Sequence, residues 1–292
     1  MDSFSIAQLS QFSGIKPFTI RMWEQRYNAL RPKRTDGNTR TYDSVDLRRI
    51  LNIVSLQDAG YKISEIGGSS DADLNQKIGE LYNLDSNQNL SHFIPQLISA
   101  GMEFNERAFC SILTHCIAKS GLFITYKNII YPLLNRIGLL WSSDVLPPAQ
   151  EHFMSNLIRQ KLIAEIDALP TPNAENKKGL LFLPEDEFHE ISLLFAQFIL
   201  KNNGFDVISL GANVPLPTLG AAIERIDPEF VLLFFVHYDR PRDVELYLSE
   251  IEKIFPRGMI YISGNEKLVG QLELSDRVLW IRQIDDMQQI LY

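Results

Sequence analysis

Apolar side chains recur at helical spacing over the first sixty-odd residues and again over a longer second stretch. After residue 178 the rhythm turns strand-like. Residues 5–12 place Ile6 and Leu9 one turn apart, and Ser13-Gly14-Ile15 reads as a tight turn. Pro17 suits the first position of a new helix, where its missing N–H costs nothing. That helix, about 17–27, sets Phe18, Ile20 and Trp23 among Thr19, Arg21, Gln25 and Arg26. Lys33 to Tyr42 is expected as a β-hairpin tipped by Asp36-Gly37. Ser44 can cap a third helix, 45–58, carrying Val45, Leu47, Ile50, Leu51 and Val54; Ala59-Gly60 stops it and a short helix follows at Ile63–Ile66.

Gly67-Gly68-Ser69-Ser70-Asp71 has the composition of a linker. From 74 to about 168 the pattern is helical, with breaks near 83–89, 100–105 and 142–148, and a second Pro/Asn-rich break covers 169–178. Short apolar runs then follow at Leu180–Leu183, Asp206–Leu210, Phe230–Val236, Met259–Ile262 and Arg277–Ile281. Amphipathic stretches 189–202, 216–225, 241–254 and 283–291 separate or follow them. Strands alternating with helices predict a doubly wound parallel sheet, whose ligands sit in loops at the strands' carboxyl ends. The expectation is a multidomain chain of three parts. Residues 1–70 would form an all-α winged helix-turn-helix, 74–168 a four-helix bundle, and 178–292 an α/β Rossmann-like domain.

Composition adds a charge asymmetry. The net charge of the 292 residues is −8, yet residues 1–70 hold 10 Lys/Arg against 7 Asp/Glu, and the rest hold 18 against 29. Residues 16–40 alone hold seven basic and two acidic side chains. An acidic chain with one basic corner should bind an anion there. No uninterrupted apolar run approaches the about 20 residues of a membrane span. The start has no basic-then-apolar leader, so a cytoplasmic protein is expected. Cys110 and Cys116 face different sides of a helix and read as buried thiols.

The basic corner coincides with the helix-turn-helix spacing and its hairpin. The second helix can enter a major groove and offer Lys16, Thr19, Arg21 and Gln25, while the hairpin presents Arg34, Asn38, Arg40 and Tyr42 to phosphates. A three-helix structural domain with a solvated basic face is the alternative. Thr19-Ile20-Arg21-Met22-Trp23-Glu24, followed by Arg34, Asn38-Thr39-Arg40-Thr41-Tyr42 and Asp46, resembles the MerR-family DNA-binding domain. The resemblance implies Arg21, Arg40 and Tyr42 on the operator backbone and Trp23, Tyr27 and Leu47 in the core. Lys16 stands where that family usually has a capping serine. A globular remainder replaces the usual dimer helix, which puts any homo-oligomer contact in the C-terminal half.

Two further features could bind a ligand. Trp141 precedes the pair Glu151-His152, which alone would be a core tryptophan and a satisfied polar contact. His189 lies in Pro184-Glu185-Asp186-Glu187-Phe188-His189, on a loop at a strand's carboxyl end. A metal could take one of its ring nitrogens while a nearby carboxylate binds the other; a solvated, helix-capping acidic loop is the alternative. His237 could touch a ligand or finish a hydrogen bond, and His92 and His115 carry no assignment.

Taken together, Trp141, Glu151-His152, Glu187-Phe188-His189 and Leu210-Gly211-Ala-Asn-Val-Pro215 resemble the cobalamin-binding unit of light-responsive, MerR-like repressors of the CarH type. That resemblance implies adenosylcobalamin held between the helical part and the sheet. His189 would be the lower cobalt ligand, Trp141 would lie over the upper face, and Glu151 and His152 beside it. Glu187, Leu210, Gly211, Ser263 and Gly264 would complete the site. It also implies a dark oligomer on operator DNA that light releases.

Three positions depart from the pattern: Ser192 replaces a glycine, Leu233-Phe234-Phe235-Val236-His237 lacks a serine, and Ser263-Gly264 replaces Gly-Gly. Small residues there let a cofactor's nucleotide tail approach the backbone, and Phe234, Phe235 and Tyr238 would narrow the slot. The alternative is a regulator that has lost cobalamin and senses a partner protein, such as an antirepressor, or another small ligand. A corrinoid enzyme is excluded, since a catalytic barrel takes about 250 residues and all residues are already assigned.

Overall fold

The computed structural model describes residues 3–35, 37–81, 90–143, 145–171, 176–236, 238, 240–287 and 290. The chain divides into two compact units, Met1–Leu157 and Ile158–Tyr292.

The first unit opens with α1 (Ile6–Ser13), α2 (Pro17–Tyr27), the antiparallel pair β1 (Lys33–Arg34) and β2 (Arg40–Thr41), α3 (Ser44–Asp58) and α4 (Ile63–Ile66). Ser5 and Gln8 form a capping box at α1, and Gly14 ends that helix in the left-handed region at φ 76°. The cap of α3 is Asp43 rather than Ser44. Its carboxylate accepts the N–H groups of Val45 (3.0 Å) and Asp46 (3.1 Å), and the Asp46 carboxylate accepts the N–H of Asp43 (3.2 Å). Two charged caps in reciprocal contact outcompete a single hydroxyl one residue later. The expected hairpin tip at Asp36 lies outside the described residues.

Gly67–Asp71 is no flexible linker. Arg49 bonds the carbonyls of Gly67 (3.2 Å) and Ser69 (2.6 Å) and pairs with Asp71 (2.5 Å). The helix that follows, α5 (Asp71–Leu81), returns Leu74 and Leu81 to a core with Trp23, Ala29, Ile53, Leu56 and Ile66. Composition cannot reveal an arginine 18 residues upstream that ties such a segment down.

Four helices follow: α6 (Phe93–Met102), α7 (Glu106–Thr125), α8 (Tyr131–Ser142) and α9 (Pro148–Asp167), with a π-helical turn, Tyr126–Ile130, between α7 and α8. α6 packs on α3, where the buried Ser55 hydroxyl donates to the His92 carbonyl (2.7 Å) and accepts from Gln96 (2.9 Å). The stretch Glu106–Trp141 is, by length and composition, one helix apolar enough to cross a membrane, with a mean hydropathy of 1.4. A window average finds this where uninterrupted runs do not. Its helix is broken at Gly121 (φ 77°, ψ 162°), and Phe109, Ile112, Leu113 and Cys116 are buried. Burial pushes the Cys116 thiol up to about 12, as an inert thiol in an apolar core requires.

The second unit alternates β3 (Lys178–Pro184), α10 (Glu190–Asn202), β4 (Asp206–Val214), α11 (Leu216–Ile226), β5 (Phe230–Phe235), α12 (Pro241–Ile254), β6 (Met259–Gly264), α13 (Glu266–Val269) and β7 (Val278–Trp280). The five strands are parallel in the order β4-β3-β5-β6-β7. Alternate residues Leu180, Phe182, Val231, Leu233 and Phe235 share a core with Leu219 of α11 and Val244 of α12, while α10 packs along β3 and β4. Of the expected last helix, 283–291, residues Ile284–Met287 form a 3-10 turn and Ile290 is helical, while 288, 289 and 291 lie outside the described residues. Strand order reverses between β3 and β5, so the ligand crevice of such a fold opens at their carboxyl ends.

Candidate functional site

Helix α2 buries Ile20 and Trp23 and exposes Phe18, Arg21 and Gln25, while Thr19 is half-buried and Lys16, at the N-cap, makes no capping bond. Arg34 and Asn38 are exposed on the hairpin and bonded to each other (2.5 Å). Asn38 turns the chain at φ 59°, a conformation asparagine tolerates. Arg40 is half-buried, and its Nε donates to Glu24 (3.0 Å), whose side chain is 7% exposed. Tyr42 is buried, and its hydroxyl donates to the same carboxylate (2.5 Å). Burial first, then the Glu24 bond, pushes the Tyr42 hydroxyl's pKa up. Tyr42 and Arg40 therefore meet on one carboxylate, Tyr42 from the buried side and Arg40 from the half-exposed side. Sequence reasoning missed Glu24; its signal was one of only two acids in a basic stretch.

In the second unit, β3 delivers the loop Glu185–His189 to the switch point. Glu187 is fully buried and accepts the N–H groups of Phe188 (3.1 Å), His189 (3.2 Å) and, across the crevice, Val236 at the end of β5 (2.8 Å). Its Oε1 lies 2.5 Å from His189 Nδ1, while the His189 side chain is 56% exposed. A carboxylate held by backbone donors fixes the imidazole tautomer with hydrogen on Nδ1, so Nε2 is the nitrogen suited to a metal.

The loop has further ties. Asn213 of β4 accepts the N–H of Asp186 (2.9 Å) and donates its own N–H to the Glu187 carbonyl (3.1 Å). The Tyr238 hydroxyl donates to the Glu185 carbonyl (2.8 Å). Leu210 is the extra residue of a bulge in β4, between the pairs Leu181–Ser209 and Phe182–Gly211, and Gly211 takes φ 79°. Gly264, at φ 149°, lies where a Cβ would strike the Phe235 carbonyl, and the Ser263 hydroxyl donates to the Ile281 carbonyl (2.8 Å). Both close the sheet end. No role for Asn213 or Val236 could be read from the sequence, because their partners are distant along the chain; Tyr238, expected to narrow the slot, also ties the loop through its hydroxyl.

On the helical part, Trp141 is 54% exposed at the end of α8. Glu151 and His152, in the first turn of α9, pair at 2.5 Å, and the Ser155 hydroxyl donates to Glu151 (2.5 Å). His237 lies outside the described residues. Phe234 and Phe235 are buried, and Phe235 packs edge-on against Tyr238 (5.3 Å) and Tyr247 (6.0 Å).

Residues 4–72 match the family model of MerR HTH regulatory proteins, and residues 94–164 match that of the B12 binding domain. The chain is 27% identical over 267 residues to the transcriptional repressor CarH of Myxococcus xanthus, covering 90% of this chain and 89% of CarH. It is 26% identical over 287 residues to CarA of the same organism, covering 91% and 94%. The regulator MlrA of Escherichia coli is 35% identical over 66 residues, 23% of this chain and 27% of MlrA. In fold, the Methanosarcina barkeri monomethylamine corrinoid protein superposes with a TM-score of 0.52 at 15% identity, covering 67% of this chain and 94% of that protein. Both domain models match in order, residues 4–72 as a MerR HTH domain and residues 94–164 as a B12 binding domain, and the chain is similar over nine-tenths of its length to the repressors CarH and CarA.

Proposed function

We propose that this chain is a cytoplasmic repressor whose self-association and operator binding are controlled by adenosylcobalamin and light. The observation that supports this reading is the pairing of His189 with the buried Glu187 at the switch point. A neutral imidazole with Nδ1 bound to a carboxylate is the donor a cobalt ion takes. Bound there, adenosylcobalamin would supply a cobalt–carbon bond that light can break.

The chain's own residues would then have separable roles. His189 would ligate through Nε2, and Glu187 would hold the ring. Leu210, Gly211, Ser263 and Gly264 would shape the sheet end. Trp141, Glu151 and His152 would serve the cofactor from the helical part. Lys16, Thr19, Arg21, Arg34, Asn38 and Arg40, with Tyr42 behind Arg40, would hold the operator.

One observation favours a second reading, in which the domain senses a partner protein or another small ligand. Phe235 ends β5, the strand end at which the resemblance asks for a serine, and its ring packs against Tyr238 and Tyr247.

An absorption spectrum separates the two. The purified chain is incubated with adenosylcobalamin in darkness, desalted and illuminated. The first reading expects retained corrinoid, an irreversible change in light, and retention weakened at least about tenfold in His189→Ala. A colourless protein that still binds DNA would establish the second.

A further inference from the structure

Helix α2 presents an unusual stripe for a surface that meets a polyanion. Phe18, Arg21 and Gln25 are exposed at positions i, i+3 and i+7 and share one face, opposite the buried Ile20 and Trp23. Phe18 is 74% exposed, more than any other large hydrophobic side chain among the described residues. It occupies the first turn, directly after Lys16 and Pro17. The pattern along α2 counts it with the core residues, and the structure turns it outward.

The first turn of the second helix is the part of a helix-turn-helix that reaches base edges. A phenyl ring offers no hydrogen bond there. The major-groove feature that accepts an apolar partner is the C5-methyl group of thymine. Arg21, on the same stripe, and the seven basic side chains of residues 16–40 supply the charge complementarity that would seat this face on DNA.

We infer that Phe18 reads the methyl group of a thymine in each operator half-site. This rests on the DNA-binding reading of α2, and the test keeps the two apart. The full chain selects its operator from a random pool of duplex DNA. Each thymine of the half-site is then replaced by deoxyuridine, which removes the methyl and leaves every hydrogen-bonding group in place.

The expected result is one position at which deoxyuridine weakens binding about fourfold, the loss of one buried methyl. Phe18→Ala should bind the thymine operator more weakly and show no further loss on the deoxyuridine operator. Phe18→Leu should restore part of the discrimination. Deoxyuridine that is neutral at every position, or equally harmful to Phe18→Ala, would overturn the inference while DNA binding stands. Phe18→Ala that changes the oligomeric state with the methyl discrimination intact would also overturn it and assign the ring to a second copy of the chain. A pool from which no sequence emerges would sink the DNA-binding reading itself.

Discussion

Glu24 shows how one buried charge can organise a cationic surface. Its carboxylate, almost withdrawn from water, accepts from both Arg40 and Tyr42, so removing either donor leaves it under-solvated. Tyr42→Phe keeps the ring and deletes one donor, and should destabilise the domain by about 1–3 kcal/mol in denaturant unfolding. Arg40→Ala should weaken binding to all DNA sequences alike and reduce the salt slope by about 1. An effect confined to one base position would make Arg40 a base reader instead. Glu187 works the same way around His189. Glu187→Gln places an amide NH₂ among donors that need an acceptor, so corrinoid retention, measured by equilibrium dialysis, should fall about 10- to 100-fold. The Glu-x-His spacing made Glu187 and His189 legible in the sequence. The Val236 N–H and Asn213, which hold Glu187 and its loop in place, lie 49 and 26 residues away and leave no local trace.

At the scale of elements, propensity and periodicity located α2, α4, β5 and α12 to within a residue or so. They failed where a partner distant in sequence decides the outcome. Gly67–Asp71 is tied down by Arg49, and α5 completes the N-terminal core. Leu74→Ala should therefore cost about 2–5 kcal/mol in thermal or denaturant unfolding of the full chain; a linker residue would cost almost nothing. The cap of α3 carries a pH signature. The carboxyl of Asp43 is held below the usual range chiefly by the Asp46 N–H, with desolvation opposing and Lys33 adding. A depressed folded pKa gives stability that is fully present above the unfolded value, about 3.9, and is lost as pH falls through the folded value. Asp43→Ala should cost about 1 kcal/mol at neutral pH. The advantage of Asp43 over Asp43→Asn should vanish in unfolding curves taken below that window.

For the molecule as a whole, the strongest electrostatic statement is the separation of charge along the chain. Residues 1–70 carry a net +3 and the remainder a net −11. DNA should therefore be drawn to residues 1–70 and repelled by the rest. Four exposed or half-buried cations, Lys16, Arg21, Arg34 and Arg40, are the candidates for phosphate contacts in each chain. Counterion release then predicts a slope of about −3.6 in log affinity against log salt per chain, or on the order of 100-fold weaker binding between 50 and 200 mM salt. A dimer on two half-sites would double that slope, so fluorescence anisotropy across a salt series also reports how many chains engage the operator. Arg21→Ala and Arg34→Ala should each lower the slope by about 1, because each removes one released counterion. A response flat in salt would mean that this face does not meet the DNA backbone, and α2 would then need a different partner.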